Sequence, residues 1–311
     1  MPAGSRIRTT TDQHPEQQPS NTDETGQKPM SKPERWRDPA KKLFPHQVGF
    51  TAPPMDFDAA PSDFLRMCPP SVGVHGRLLH APGYAHRLSD RAGLFHLLEE
   101  TVHCLSNSGA DVVGQVGTNW VHAAGTDASD IRRFTIEMAE KYETPFHMAG
   151  LTLVEACEEH GYERVALNAA YFWPDWRDGV VRFLRSAGID VVWAGNFVDQ
   201  GWYATQEEVN DCIWIFGGDL ALRSCEYALA QAPGVDAVLV NGMSNYRGDD
   251  GLPQRFVSLA AGIEAQLGVP IISSDISLHW RILRTLGVEP LGRQGSLLAS
   301  LQPGAPSQAT S

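Results

Sequence analysis

Two short loops in this chain carry one kind of chemistry. The first, Gly117-Thr118-Asn119, closes the run Ala110-Asp111-Val112-Val113-Gly114-Gln115-Val116. The second, Gly242-Met243-Ser244-Asn245, closes Val235-Asp236-Ala237-Val238-Leu239-Val240-Asn241. Each offers a hydroxyl, an amide and backbone N–H groups, and grouped neutral donors of this kind hold a negatively charged oxygen. Tyr171 adds a phenol at the end of Tyr162-Glu163-Arg164-Val165-Ala166-Leu167-Asn168-Ala169-Ala170. Candidates for moving a proton lie close to the same loops: His122, three residues past Asn119, then Asp275, His279 and Asp56. A histidine suits acid work near neutral pH. Arg247, in Ser244-Asn245-Tyr246-Arg247, has the charge and shape to pair a carboxylate. Neither loop has a thiol, because the five cysteines are Cys68, Cys104, Cys157, Cys212 and Cys225.

Strands must present such loops. A short aliphatic run bounded by Gly and Asn reads as a buried parallel strand with its loop at the carboxyl end. Open α/β sheets bind their ligands at that end. Val48-Gly49-Phe50-Thr51-Ala52-Pro53-Pro54 reads as a first strand closed by a Pro-rich loop. Gly268-Val269-Pro270-Ile271-Ile272-Ser273-Ser274-Asp275 reads as a last strand, followed by a helical face of Ile276, Trp280, Leu283 and Leu286. The spacing predicts helices over 91–108, 129–142, 151–160, 175–187, 205–212, 217–232 and 253–267. This alternation implies an α/β fold with a parallel sheet in each of two similar halves, facing one cleft.

Each singled-out residue has a blander reading. Thr118 and Asn119 serve as helix caps, Ser244-Asn245 as turn chemistry, and Asn241 as a cap or left-handed residue. Tyr171 and the aromatic group Trp120, Phe172, Trp173, Trp176, Trp202 and Tyr246 serve as core anchors. The pairs Glu99-Glu100, Glu158-Glu159 and Glu207-Glu208 read as exposed helix faces.

The chain has 311 residues with 42% apolar content, enough for a sizeable core. A formal net charge of −12 argues against nucleic-acid binding, which needs a basic face. No apolar run reaches the ~18 residues of a membrane helix, and no apolar N-terminal signal is present. The odd, scattered cysteines fit a reducing cytoplasm, and no zinc spacing occurs. Dinucleotide, phosphate-loop and nucleophile-elbow motifs are absent. Residues 1–45 and 293–311, poor in aliphatics, read as disordered tails.

Taken in order and spacing, these segments resemble the Asp/Glu racemase superfamily, in its arylmalonate decarboxylase and maleate isomerase branch. The resemblance covers roughly residues 46–290 and rests on Gly117-Thr118-Asn119, Ala170-Tyr171, Ser244-Asn245-Tyr246-Arg247 and the Gly268–Asp275 stretch with His279-Trp280. It implies two pseudo-symmetric α/β domains, 46–150 plus 271–292 and 151–270, because in the family the last strand and helix return to the first half. It implies no cofactor, and a small carboxylic acid passing through an enolate or enediolate. Positions matching Thr118 and Tyr171 help bind a carboxylate in arylmalonate decarboxylases, and Pro53-Pro54 matches a loop closing the same pocket. Most members carry a cysteine in one or both loops. Here those positions fall on Gly117, where arylmalonate decarboxylases also have Gly followed by Thr, and on Met243 or Gly242, depending on the alignment. Two-thiol racemisation is therefore excluded. Decarboxylation makes its carbanion without a base and tolerates the loss.

The sequence-based expectation is a cofactor-independent decarboxylase of a malonate-like acid, with Thr118, Tyr171, Asp275 and His122 catalytic. Pro54, Gly117, Asn119, Gly242, Met243, Ser244 and Asn245 would bind substrate. Isomerisation of a small unsaturated acid and non-catalytic binding of a small acid are the alternatives, and a homo-oligomer stays open.

Overall fold

The computed structural model describes residues 32–52, 58–212, 215–241, 245–292 and 294–303. A first sheet contains β1 (His46–Ala52), β2 (Val72–Leu78), β3 (Val112–Gln115) and β4 (Phe146–Met148), all parallel, in the order β2-β1-β3-β4. A second contains β5 (Arg164–Ala170), β6 (Asp190–Asn196), β8 (Ala237–Val240) and β11 (Ile271–Ser273), all parallel, in the order β6-β5-β8-β11. Counted within its own half, each order is 2-1-3-4, so the halves are pseudo-symmetric. A small mixed sheet joins β7 (Ile215–Gly217), β9 (Asn245–Arg247) and β10 (Pro253–Arg255) in the order β10-β9-β7.

The matching aspartates now have a physical role. Asp111 accepts from the Gln47 N–H at 2.8 Å and donates its own N–H to Gln47 O, tying β3 to the start of β1. Asp236 accepts from the N–H groups of Glu163 and Arg164 at 2.9 and 2.8 Å and donates its N–H to Arg164 O, tying β8 to the start of β5. Both clasps set register at the amino end, where a slip of one residue would turn every side chain to the wrong face. β3, β8 and β11 are buried along their whole lengths, as strands covered on both faces must be.

The helices are α1 (Ala60–Arg66), α2 (Leu88–Ala92), α3 (Phe95–Asn107), α4 (Ala128–Tyr142), α5 (Ala149–His160), α6 (Pro174–Ser186), α7 (Gln206–Asp211), α8 (Gly218–Gln231), α9 (Phe256–Leu267), α10 (Ser274–Leu286) and α11 (Ser296–Ala299). The expected spans 129–142, 151–160, 175–187, 205–212 and 217–232 correspond to α4–α8, whereas 91–108 is broken between α2 and α3, 253–255 is strand before α9 begins, and α1 and α11 were not expected. The run ending in Asn245-Tyr246-Arg247, read as a loop, ends in strand β9. No helix among the described residues is long and apolar enough to cross a membrane.

Three expectations need correction. The strand at Ile271 does not return to the first half: β11 pairs with β8, because it is the fourth strand of the second sheet. What crosses over is α10, which packs on β3 and on α5, a helix that lies against β4 and α4 of the first half although the expected boundary at 150 placed most of it in the second. Its Ser277 hydroxyl meets the Thr152 hydroxyl of α5 at 2.9 Å, its Arg281 pairs with Glu155 at 3.1 Å, and Ile282 packs over Gly114 of β3. Residues 32–45, expected in a tail, pack on the first half: Lys32 Nζ donates to Ala110 O at 2.6 Å and Trp36 Nε1 to Asn107 O at 2.8 Å. Residues 296–299 form α11, held by buried Leu297 and Leu298 and by Glu264, which accepts from Ser296 N–H at 2.7 Å.

Candidate active site

In a 2-1-3-4 sheet the chain leaves the first and third strands in opposite directions and opens a crevice at their carboxyl ends. In the first half those ends are Thr51 and Gln115, which lie in register and lead to Thr118. In the second they are Ala170, leading to Tyr171, and Val240, leading to Asn241. Asp275 is the second residue of α10, just beyond β11.

Buried polar atoms without a partner gather at these ends. Among the described residues, the Thr118 hydroxyl finds no hydrogen-bond partner at 1% exposure, and neither do Thr51 Oγ1, Gln115 Oε1, both polar atoms of the Asn241 amide, or Asp275 Oδ1. A buried polar atom left without a hydrogen bond costs about 1–3 kcal/mol, so such a group is retained for a reason. Gly117, at φ +96°, makes the left-handed turn that puts Thr118 at the head of a short 3₁₀ segment, Thr118–His122. Its carbonyl accepts from Gln115 Nε2 at 2.9 Å.

Tyr171 follows Ala170, whose φ of +48° is unusual for a residue with a side chain. A local web holds it there. Ala170 N–H donates to Asn168 Oδ1 at 3.1 Å, Gln206 Nε2 donates to Tyr171 O at 2.7 Å, and Asn196 Nδ2 donates to Phe172 O at 2.8 Å. Strain of this kind, about 1–3 kcal/mol, persists only where surrounding bonds over-determine it. Burial raises the phenol's pKa, so Tyr171 is a neutral donor, and it lies within electrostatic reach of Asp58, Arg255, Asp275 and Arg91.

Asp275 is 4% exposed. Burial pushes its pKa well above the usual carboxylate range, against the pull of Arg255 and with the push of Asp58 and Asp63. Arg255 donates to Asp275 Oδ2 at 3.3 Å, and Oδ1 has no partner among the described residues.

His122 is not brought into this set as an acid. Its Nε2 lies 3.0 Å from Asn119 Oδ1, and its ring sits so close to Gly179 of α6 that a β-carbon there would be 2.3 Å from Nδ1. Burial, first, and the charges of Arg182 and Arg91 push it down to about 3, so it holds no proton to give near neutral pH. Asn119, engaged by His122, is committed to this packing. His279 is wedged between Phe50 and Phe64, with ring centroids 6.2 and 5.2 Å away, and burial pushes it too down to about 3. Asn245 opens β9. Pro54, Gly242, Met243, Ser244 and Asp56 lie outside the described residues. Arg247 is exposed and lines a cavity of about 490 Å³ with Cys212 and Phe216. Burial drives the thiols of Cys68, Cys157 and Cys225 up to about 12, which keeps them protonated and unreactive. Trp120, Phe172, Trp176 and Tyr246 are core residues.

Residue-by-residue reading missed Arg255, Asp58, Asp63 and Arg91. Arg91 is buried, with its guanidinium 4.7 Å from the Trp176 ring centroid and 5.3 Å from that of Tyr84. Nothing local marks it, since a single arginine in a polar helix looks solvated.

A family model described as arylmalonate decarboxylase matches residues 75–298. No curated protein matches the chain. Among solved structures, an arylmalonate decarboxylase superposes with a TM-score of 0.61 at 20% identity, covering 81% of this chain and 98% of that one. The maleate isomerase of Pseudomonas putida S16 gives 0.62 at 17% identity over 83% and 99% of the two chains. A Nocardia farcinica maleate cis-trans isomerase mutant, with a covalently bound succinylcysteine intermediate, gives 0.60 at 17% over 82% and 98%. All three share the two-domain fold.

Proposed function

Because the chain belongs to the arylmalonate decarboxylase family, we propose that it is a cofactor-independent decarboxylase of a malonate-like small carboxylic acid. The supporting observation is the set of buried polar groups at the carboxyl ends of the strands that have no partner among the described residues, Thr118 Oγ1 and Asp275 Oδ1 foremost. In this reading the bond between the α-carbon and the departing carboxylate breaks, CO2 leaves, and the electron pair moves into the remaining carboxylate as an enediolate. The Thr118 hydroxyl and the neutral Tyr171 phenol donate to its oxygens, with the Asn241 amide, at the end of β8, as a further donor. Donors already fixed in a dry site stabilise that charge without reorganising. Asp275 then gives its proton from Oδ1 to the α-carbon and is reprotonated from water.

Isomerisation through a cysteine adduct, as the Nocardia relative's covalent intermediate suggests for that protein, lacks its thiol here: residues 117 and 242–244 are Gly, Gly, Met and Ser. The test is CO2 release and solvent-deuterium incorporation over a panel of malonates, maleate and related acids. CO2 with deuterium at the α-carbon, lost in Thr118→Ala, Tyr171→Phe and Asp275→Asn, is expected. Isomer formation without CO2 would replace the decarboxylase by an isomerase. Tight binding without turnover would make the protein a binder.

A further inference from the structure

Three carboxylates converge on one buried guanidinium. Arg255 Nε lies 2.8 Å from Asp63 Oδ2, and a terminal nitrogen lies 3.3 Å from Asp275 Oδ2 and 3.9 Å from Asp58 Oδ1. The side chains of Arg255, Asp63 and Asp275 are at most 6% exposed, and that of Asp58 is 13% exposed. The group spans the halves. Asp58 and Asp63 come from the segment after β1 and from α1; Arg255 and Asp275 come from β10 and α10.

One buried cation, with the exposed Arg66 reaching in to Asp63, does not balance three carboxylates in a dry site, so at least one carboxyl keeps its proton. Geometry indicates which. Asp63 has the shorter contact to Arg255 and a second cation, Arg66, 2.9 Å from its Oδ1. Asp275 has Arg255 at longer range, and its Oδ1 touches no hydrogen-bonding partner among the described residues. Other groups facing Asp275 do not supply a counter-charge: Tyr171 is a neutral phenol, and His279, one turn along α10, is neutral.

We infer that Asp58 and Asp63 are positioning residues for Asp275: by engaging Arg255 and presenting like charge, they keep Asp275 in its acid form with Oδ1 free to donate. The acid of the second half is thereby held ready by carboxylates of the first. This rests on the reading of Asp275 as the proton donor.

The test follows the Asp275 carboxyl by carbon-13 NMR of the full chain labelled at aspartate, the signal being assigned by its loss in Asp275→Asn. In the unmodified protein it should stay protonated at pH 7. In Asp58→Asn and Asp63→Asn it should ionise at lower pH, by about one to three units, since a like charge has been removed and Arg255 freed. The alkaline limb of the kcat profile for CO2 release should move down with it, whereas a merely structural role would lower kcat and leave the limb in place. An ionised Asp275 at pH 7 in the unmodified protein overturns the inference even if neither variant folds; so does an unmoved titration in both. A shifted titration with no acid turned over would sink the decarboxylase reading and leave the proton arrangement standing. Turnover with an unmoved titration would do the reverse.

Discussion

Gly150→Ala tests how the Thr118 loop is held without replacing any proposed site residue. Gly150 is the second residue of α5, and a β-carbon there would lie 2.4 Å from Val121 Cγ2, 3.0 Å from Val121 Cγ1 and 2.9 Å from the Thr118 carbonyl oxygen. Relaxed carbon contacts are about 3.5–4.0 Å. Val121 is fully buried, so its methyls have little room to retreat, and the Thr118 backbone must move by roughly half an ångström. Overpacking of this kind costs about 1–3 kcal/mol. Alanine's preference over glycine in a helix returns about 0.5–1 kcal/mol. The net is a loss of up to about 2.5 kcal/mol, or a Tm lower by up to several degrees. Misplacing a positioning group by a good part of an ångström costs up to about 100-fold in turnover. Gly262→Ala in α9 is the control: nothing lies within 4 Å of its added carbon, so it should gain about 0.5–1 kcal/mol and leave turnover unchanged. Thermal unfolding and initial CO2 release read both. A Gly150→Ala protein with undiminished Tm and turnover would refute the claim that α5 sets the position of Thr118.

The remaining predictions concern protons. Asp275→Asn should change the unfolding free energy at pH 7 by less than about 1 kcal/mol, because a protonated acid and an amide carry the same charge; loss of an ionised partner would instead cost about 3–5 kcal/mol in urea unfolding. The same variant should lose about 10²–10⁴-fold in turnover. His122 and His279 are held at about 3 when folded, so between pH 3 and roughly 6.5 the unfolded chain binds protons that the folded one refuses. Stability should therefore fall as pH drops below about 6.5, by about 1.4 kcal/mol per pH unit for each histidine. Asp275 and Asp63 act in the opposite sense, their contribution fading as pH rises. His279→Leu should lessen the acid-side slope by one proton; an unaltered slope in urea unfolding at pH 5.5 and 7.5 would show that His279 is not held neutral.

The parts of this fold legible in the sequence are those written in local pattern. The paired Asp–aliphatic–small-loop runs announce the duplication because each Asp makes the same clasp, with Gln47 in one half and with Glu163 and Arg164 in the other. The places of Thr118 and Tyr171, just beyond β3 and β5, were readable because small residues close those two runs at the ends where α/β sheets bind. The sheet joined by Ile271–Ser273 was not readable, since a three-residue aliphatic strand carries no record of its neighbour. Arg255 and Asp63 were invisible for a related reason. Asp63 looks like an ordinary acid in a first helical turn, and Arg255 caps α9 with the wrong charge for the helix dipole. Only the fold brings them together. His122 misled because its spacing from Asn119 suggested a shared loop surface, whereas the ring turns inward onto Gly179.

The crossing of α10 bears on how the chain is made. Ile282, Ser277 and Arg281 cover β3 and α5 of the first half, yet they emerge from the ribosome more than a hundred residues after β4. Until then the N-terminal sheet has all its strands but lacks one wall of its core, and an open apolar face is what chaperones bind and aggregates recruit. The nascent N-terminal half must therefore wait, unfinished, for the last long helix, and a chain stalled before residue 274 has no self-sufficient first half to release.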